Sequence, residues 1–219
     1  MAETILDYAI CTLAEVKLWL GIDTDDTGDD ELITELINVV TNAIEDYLDR
    51  RVIVRSTAIT EYFSGDGSSE CYVKHPPIAE LDSIYIEDVV TLDSTDCADT
   101  DQVRYNPTTG YIALLQYYFS AGYPRNCYRK YKGGWYKKGN TDGDGGAEAT
   151  PVVPLAIWQG CREEVKRLYK YKDRQETNIS SKSYGVTGET IAYFQDKGLS
   201  EETKTKIDRW HMVRVDDED

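Results

Sequence analysis

Asp29-Asp30-Glu31-Leu32-Ile33-Thr34-Glu35-Leu36-Ile37-Asn38-Val39-Val40-Thr41-Asn42-Ala43-Ile44-Glu45-Asp46-Tyr47-Leu48, followed by Asp49-Arg50-Arg51, carries the strongest structural signal in the chain. Leu32, Leu36, Val40, Ile44 and Leu48 repeat at helical spacing and are widened by Ile33, Ile37 and Tyr47, which predicts a long helix with a broad apolar stripe. Asp29 or Asp30 is the expected cap. Arg50 and Arg51 are expected at the C-terminal end, where the helix dipole favours cations. Just upstream, Thr12-Leu13-Ala14-Glu15 has the form of a capping box, in which hydroxyl and carboxylate each satisfy an orphan amide. Leu13, Val16 and Leu20 then share a face, Gly21 stops the short helix, and the acidic loop Asp23 to Asp30 leads into the long one.

Beyond Arg51 the period falls to two. Residues 52–63 are rich in Val, Ile, Thr and Tyr, and Gly65-Asp66-Gly67 reads as a hairpin turn with Cys71-Tyr72-Val73 returning as a strand. Ile84-Tyr85-Ile86, Gln102 to Tyr105 and Tyr111 to Tyr118 read as further strands, and Asn106-Pro107-Thr108-Thr109-Gly110 as a turn. Residues 52–136 thus predict a small antiparallel β unit, and Asn140 to Ala149 a Gly/Asp-rich loop.

Helical spacing returns after Pro154, a residue suited to a first turn. Trp158, Cys161, Val165, Leu168 and Lys172 predict a helix to about Arg174. Residues 177–194 read as extended, broken at Gly185 and Gly188. A last helix is expected from Ser200 to near Val213, and Asp216 to Asp219 as a solvated tail. The expected class is α+β: a helical core built from N- and C-terminal helices with an inserted antiparallel β unit. The expected organisation is residues 1–51, an N-terminal helical part; 52–150, the insertion with its Gly/Asp loop; and 151–219, the C-terminal helical part. Neither helical set is long enough to be stable alone, so Leu36, Val40, Ile44 and Leu48 are expected to pack on Trp158, Val165 and Leu168.

Composition narrows the function. The 219 residues carry 24 Lys and Arg against 40 Asp and Glu, a formal charge of −16, which argues against a surface that grips nucleic acid throughout. Seventeen tyrosines argue against a disordered chain. The longest apolar stretch, Val152 to Trp158, falls far short of the ~20 residues of a spanning helix. Met1-Ala2-Glu3-Thr4 has neither the basic nor the apolar region of a signal peptide, so none is expected. Cys11, Cys71, Cys97, Cys127 and Cys161 are odd in number and widely spaced, which predicts reduced thiols in a cytoplasmic setting.

Catalytic patterns fail. There is no G-x-x-x-x-G-K-[ST], G-x-S-x-G or H-E-x-x-H. On a strand, Cys71 and His75 would stand ~13 Å apart, too far to share a metal or a proton. His211, beside Trp210, reads as packed or solvated. Asp23, Asp25 and Gly28 begin like a calcium loop, but Thr34 occupies the position that needs a bidentate Glu. No catalytic residue, metal ligand or cofactor is expected.

One segment runs against the acidic background. Arg125, Arg129, Lys130, Lys132, Lys137 and Lys138 stand between Tyr123 and Lys138 with no acid among them, interleaved with Tyr128, Tyr131, Trp135 and Tyr136. Such a mixture can stack bases and hold phosphates. It can equally form an interface between copies, in which basic strands of one subunit meet acidic surfaces of the next. The total charge favours the interface.

Leu13-Ala14-Glu15-Val16-Lys17, Leu20-Gly21-Ile22-Asp23, Asp29-Asp30-Glu31-Leu32-Ile33, Ala43-Ile44-Glu45-Asp46-Tyr47-Leu48 and Arg51 together resemble the head–tail connector (adaptor) proteins of tailed bacteriophages. Longer members of that family interpose strands before the late helices. Here Gly65-Asp66-Gly67, Pro76-Pro77-Ile78, Tyr85-Ile86-Glu87-Asp88, Gly110-Tyr111-Ile112 and Tyr131-Lys132-Gly133-Gly134-Trp135 follow in order, then Val153-Pro154 and a helix ending near Tyr171-Lys172-Asp173-Arg174. The sequence departs from the family in its long Gly/Asp loop and its tyrosine-rich β part.

The resemblance implies a structural protein of the virion neck, present in the host cytoplasm during assembly. Its implied partners are the portal protein, a head-closure (stopper) or tail protein, and its own copies in a closed ring, usually a dodecamer. Genomic double-stranded DNA would pass through the lumen without tight binding, as an acidic wall favours. The resemblance also points to the C-terminal helices as the portal-docking end. Independently, Lys204, Lys206, Arg209 and Arg214 edge a stripe of Ile207, Trp210, Met212 and Val213, although the same helix could fold back on its own core. Two other readings share some features: an acidic DNA mimic or inhibitor, and a single-strand nucleic-acid-binding module using residues 123–138.

Overall fold

The computed structural model describes residues 4–122, 124–139, 150–174, 179–185, 188–193 and 198–211. The Gly/Asp loop, Tyr123, Met212, Arg214 and the acidic tail lie outside the described residues. The fold is α+β, with helices at both ends of the chain and a β unit between them. Two compact units result: residues 1–49 with 154–219, and residues 50–153.

In the first unit, α1 (Leu13–Leu20) begins at the capping box: Thr12 Oγ1 accepts from the Glu15 amide, and Glu15 Oε2 accepts from the Thr12 amide at 2.8 Å. Gly21 ends it with φ +76°, a left-handed position where glycine avoids the Cβ penalty. α2 (Asp30–Leu48) follows Asp29 and stops where Asp49 turns left-handed. α2 packs against both α1 and α4 (Leu155–Arg174). Val40, Ile44 and Leu48 of α2 and Trp158 and Val165 of α4 are buried, while Leu36 and Leu168 are half-buried.

The stripe of α2 is rotated from the one expected. Its deepest line is Ile33, Ile37, Val40, Ile44 and Leu48, flanked by buried Thr34, Asn38 and Thr41, with Leu32 and Leu36 at its edge. The polar trio has work to do. Asn38 accepts from the Leu6 amide at 3.0 Å and donates to Thr4 O, and Thr41 accepts from the Ile10 amide. These bonds pin the N-terminal segment to the helix, and Ala9, Ile10 and Cys11 are buried. After α4 come an antiparallel hairpin, β8 (Ile179–Gly185) and β9 (Gly188–Tyr193), and the short α5 (Glu201–Ile207). α5 tightens into a 3-10 turn at Asp208–Trp210, so the α-helix is shorter than expected.

The second unit contains β1 (Ile59–Phe63), β2 (Glu70–Tyr72), β3 (Ile78–Ile86), β4 (Val90–Leu92), α3 (Ser94–Ala98), β5 (Val103–Asn106), β6 (Tyr111–Leu114) and β7 (Cys127–Gly133). All ladders are antiparallel, in a four-stranded sheet of order β1-β7-β3-β4 and a three-stranded sheet of order β2-β6-β5. One apolar cluster joins them, with Ile84, Ile86, Cys127 and Tyr131 from the first sheet meeting Val103, Ile112 and Leu114 from the second.

Gly65-Asp66-Gly67 is therefore not a hairpin turn. It carries the chain from β1 to β2, which lie in different sheets. A Cβ on Gly65 would stand 2.3 Å from Ser120 O, so its bareness serves a close backbone approach. Residues 52–58 make a single bridge at Ile53 rather than a long strand, and α3, capped reciprocally by Asp93 and Asp96, has no sequence-derived counterpart. Asn106 does form the expected turn, accepting from the Thr108 and Thr109 amides.

Arg50 and Arg51 lie past the cap of α2 rather than in its last turn. Arg50 stacks over the Trp135 ring at 4.6 Å, and burial holds its guanidinium down to about 10. Trp135 and Tyr136 close the base of this unit. Trp135 exchanges backbone hydrogen bonds with Val52 and Val54, and Tyr136 with Pro151 and Val153. The first and last segments of the unit are thus held by one dipeptide.

Candidate interaction surfaces

The basic–aromatic segment folds as β7, an interior strand of the larger sheet, and the alternation of the pleat divides it into two sets. Cys127, Arg129, Tyr131 and Gly133 turn inward, and Trp135 is also buried. Arg129, Tyr131 and Trp135 are thereby removed from any face offered to a neighbouring subunit or to DNA. Arg125, Lys130 and Lys138 are exposed, and Tyr128, Lys132 and Lys137 are half-buried.

The inward set surrounds a carboxylate that sequence reading did not single out. Glu61 of β1 is buried opposite Arg129, and its Oε2 receives both Nε at 2.8 Å and a second guanidinium nitrogen at 2.7 Å. Glu61 Oε1 accepts from the Tyr131 hydroxyl. The Lys74 amide donates to both carboxylate oxygens, and the His75 amide to the Tyr131 hydroxyl. Residues 74 and 75 follow β2, so the network ties the larger sheet to the chain leaving the smaller one. Burial, reinforced by the Glu61 charge, pushes the Tyr131 hydroxyl well above the ordinary tyrosine range. An alternating strand pattern hides such a site, because a lone Glu in Ile59-Thr60-Glu61-Tyr62-Phe63 looks like a solvent-facing position.

On the outward face, Tyr62, Tyr128 and Tyr85 stand side by side on β1, β7 and β3. Tyr85 stacks on Tyr128 at 4.9 Å and 15°, and Tyr62 meets Tyr128 at 5.6 Å. Arg125, in a left-handed conformation with φ +59°, lays its guanidinium over Tyr62 at 5.1 Å. Lys132 pairs with Glu80 at 2.5 Å, and Lys130 lies 4.0 Å from Asp82.

The C-terminal segment divides similarly. Ile207 and Thr203 are buried, and α5 packs on α4. Glu164 of α4 accepts from the Ser200 and Thr203 hydroxyls, and Lys206 bonds to Glu163 and Glu202. Ile207 and Lys206 are thus occupied within their own unit. Lys204 pairs with neighbouring Glu201, and Arg209 stacks over the half-buried Trp210 at 3.8 Å. Arg209 is exposed, and Lys204, Lys206 and Trp210 are half-buried.

Among the described residues, no three His, Cys, Asp or Glu side chains come together to hold a metal ion, and no helix is long and apolar enough to cross a membrane.

Residues 10–77 match the family model described as phage gp6-like head-tail connector protein. No curated protein sequence matches the chain. Its fold is similar to a chain in the neck of the empty gene transfer agent (GTA) particle computed with C6 symmetry (13% identity, 98% of this chain and 96% of that chain, TM-score 0.56). It is also similar to a chain in the neck of the native GTA particle computed with C12 symmetry (13% identity, the same coverage, TM-score 0.52).

Proposed function

We propose that this protein is a head-to-tail adaptor of the virion neck, whose copies form a ring below the portal and continue the DNA channel toward the tail. The family match at residues 10–77 carries the reading. It spans α1 and α2, the helices around which the first unit is built. The likeness in fold to chains of symmetric particle necks over nearly the whole chain supports it. A ring subunit needs two different faces that are complementary to each other rather than a catalytic centre. The −16 charge suits a channel through which DNA slides without sticking.

In this reading the C-terminal segment faces the portal, with Lys204, Arg209 and Trp210 as its surface groups. Arg209→Ala with Trp210→Ala should weaken portal binding while leaving the fold intact, since neither side chain is buried. The decisive experiment is electron microscopy of particles made with and without the protein. A ring of this chain at the head–tail junction, and DNA-filled heads lacking tails in its absence, are the expected results. Normal tailed particles without it would refute the proposal.

A further inference from the structure

We infer that the outward face of the β1-β7-β3-β4 sheet is one half of the subunit–subunit contact, and that it receives the solvent face of α2 from a second copy of this chain. The inference rests on the ring reading and says which surfaces make the ring.

Charge complementarity identifies the occupant. Residues 23–49 contain ten Asp and Glu and not one Lys or Arg. On α2, Glu31, Glu35, Val39, Asn42 and Asp46 recur at helical spacing, and all are exposed. Glu31, Glu35 and Asp46 have no salt-bridge partner among the described residues, and Val39 is 52% exposed, an apolar point on an acidic ridge. The sheet face is its complement. Residues 124–138 carry six Lys and Arg and no acid. Arg125 has no carboxylate partner among the described residues, and Lys130 only a distant one. The hydroxyls of Tyr62, Tyr85 and Tyr128 likewise lack partners among the described residues. Side chains stand roughly perpendicular to a sheet, so the three hydroxyls form a row of donors at the height where a neighbour's carboxylates would lie. Tyr and Arg flanked by a few cations form a typical interface core.

Single-stranded nucleic acid is the competing occupant of an open aromatic sheet face. It fits less well, because a base needs a free ring face. Tyr128 is covered on one side by Tyr85 and on the other by Tyr62, and Tyr62 carries Arg125. Lys132 is already neutralised by Glu80.

The contact is heterologous, which allows a test by charge exchange. A face-reversed variant carries Arg125→Glu and Lys130→Glu, and a ridge-reversed variant carries Glu31→Lys and Glu35→Lys. All four side chains are exposed, so both variants should fold, as circular dichroism and melting will show. Self-association is read by sedimentation velocity of the full chain, and by its incorporation into tail-less heads isolated without it. Each variant alone sets like charges against one another and should assemble about tenfold or more weakly than the parent. Mixed in equal amounts, they can alternate around a ring with every contact restored, and assembly should recover.

If the parent neither self-associates nor enters heads, the ring reading itself falls. If the parent assembles and both variants match it, or if the mixture stays as weak as its components, the ring stands and this pairing is wrong. Loss of affinity for a labelled oligo-dT probe in the face-reversed variant, with unchanged self-association, would assign the face to nucleic acid and overturn the inference.

Discussion

Arg129 and Glu61 stand opposite one another in the β1–β7 register, both inward and both buried, with Glu61 Oε2 2.7 and 2.8 Å from two guanidinium nitrogens. A buried pair is not free stability, because each charge loses its water. Removing one partner is the harsher change, since it strands the other. Glu61→Ala should destabilise the protein by about 3–5 kcal/mol in a denaturant titration. Replacing both residues with apolar side chains of similar volume should cost much less, and an equal loss in both would show that packing, not charge, holds the site.

Tyr131 belongs to the same network. Tyr131→Phe leaves Glu61 and the His75 amide each one bond short and should cost about 1–3 kcal/mol. Its raised hydroxyl also fixes a direction with pH. Above the ordinary tyrosine value the unfolded chain loses this proton while the folded chain keeps it, so folding stability from this group falls as pH rises past about 10. The Phe variant should lack that part of the alkaline decline in melts between pH 9 and pH 11.

Gly134 sits at φ +117°, and a Cβ there would meet Ile53 C and Val54 N at 2.9 Å. Both obstacles are backbone, and they belong to the segment that Trp135 holds at the base of the β unit. Gly134→Ala should therefore cost more than about 2 kcal/mol. Gly28→Ala, which meets only a side-chain oxygen at 3.3 Å, should change thermal stability by less than about 1 kcal/mol.

Lys17 is buried in spite of its charge. Its ammonium pairs with Asp30 at 2.5 Å and donates to Thr24 O at 3.0 Å, which closes the acidic loop over the end of α1. Lys17→Ala should leave a half-buried Asp30 uncompensated and lower stability by about 2–4 kcal/mol. Faster proteolysis between Ile22 and Asp29 would accompany it. Unchanged melting and cleavage would show that the loop closes without the lysine.

Cys11, Cys97, Cys127 and Cys161 are buried and Cys71 is half-buried. Burial pushes the Cys71 thiol up to about 11 and that of Cys97 up to about 12. Native protein at pH 8 should react slowly with a thiol-specific disulfide reagent, Cys71 first. All five should react at once in denaturant. A fast native thiol would contradict the packing described here.

The helical unit was legible in the sequence wherever the signal was local. A capping box is complete within Thr12 to Glu15, a left-handed stop needs only Gly21, and the 3.6-residue period of α2 and α4 is set by the helix itself. Strands were legible as segments but not as partners. Residues 52–63 and Cys71 to Val73 read as a hairpin across Gly65-Asp66-Gly67, yet β1 pairs with β7 and β2 with β6. Pairing depends on contacts 39 or more residues away, whose energy no short window contains.

The same division runs through the candidate surfaces. By itself the sequence determined that acid dominates residues 23–49, that base and tyrosine dominate residues 124–138, and that the chain resembles phage connectors, because charge and spacing are properties of the chain. Which of those side chains are offered outward depends on the folded arrangement of the strands and helices. Arg129 and Tyr131 alternate with Tyr128 and Lys130 along one strand, and the pleat sends the first pair to Glu61 and leaves the second on the open face. At the end of α5, Ile207 turns to the core while Arg209, two residues on in the 3-10 turn, is exposed. Composition cannot separate such neighbours, because burial is a property of the direction a side chain takes once the distant partner is in place.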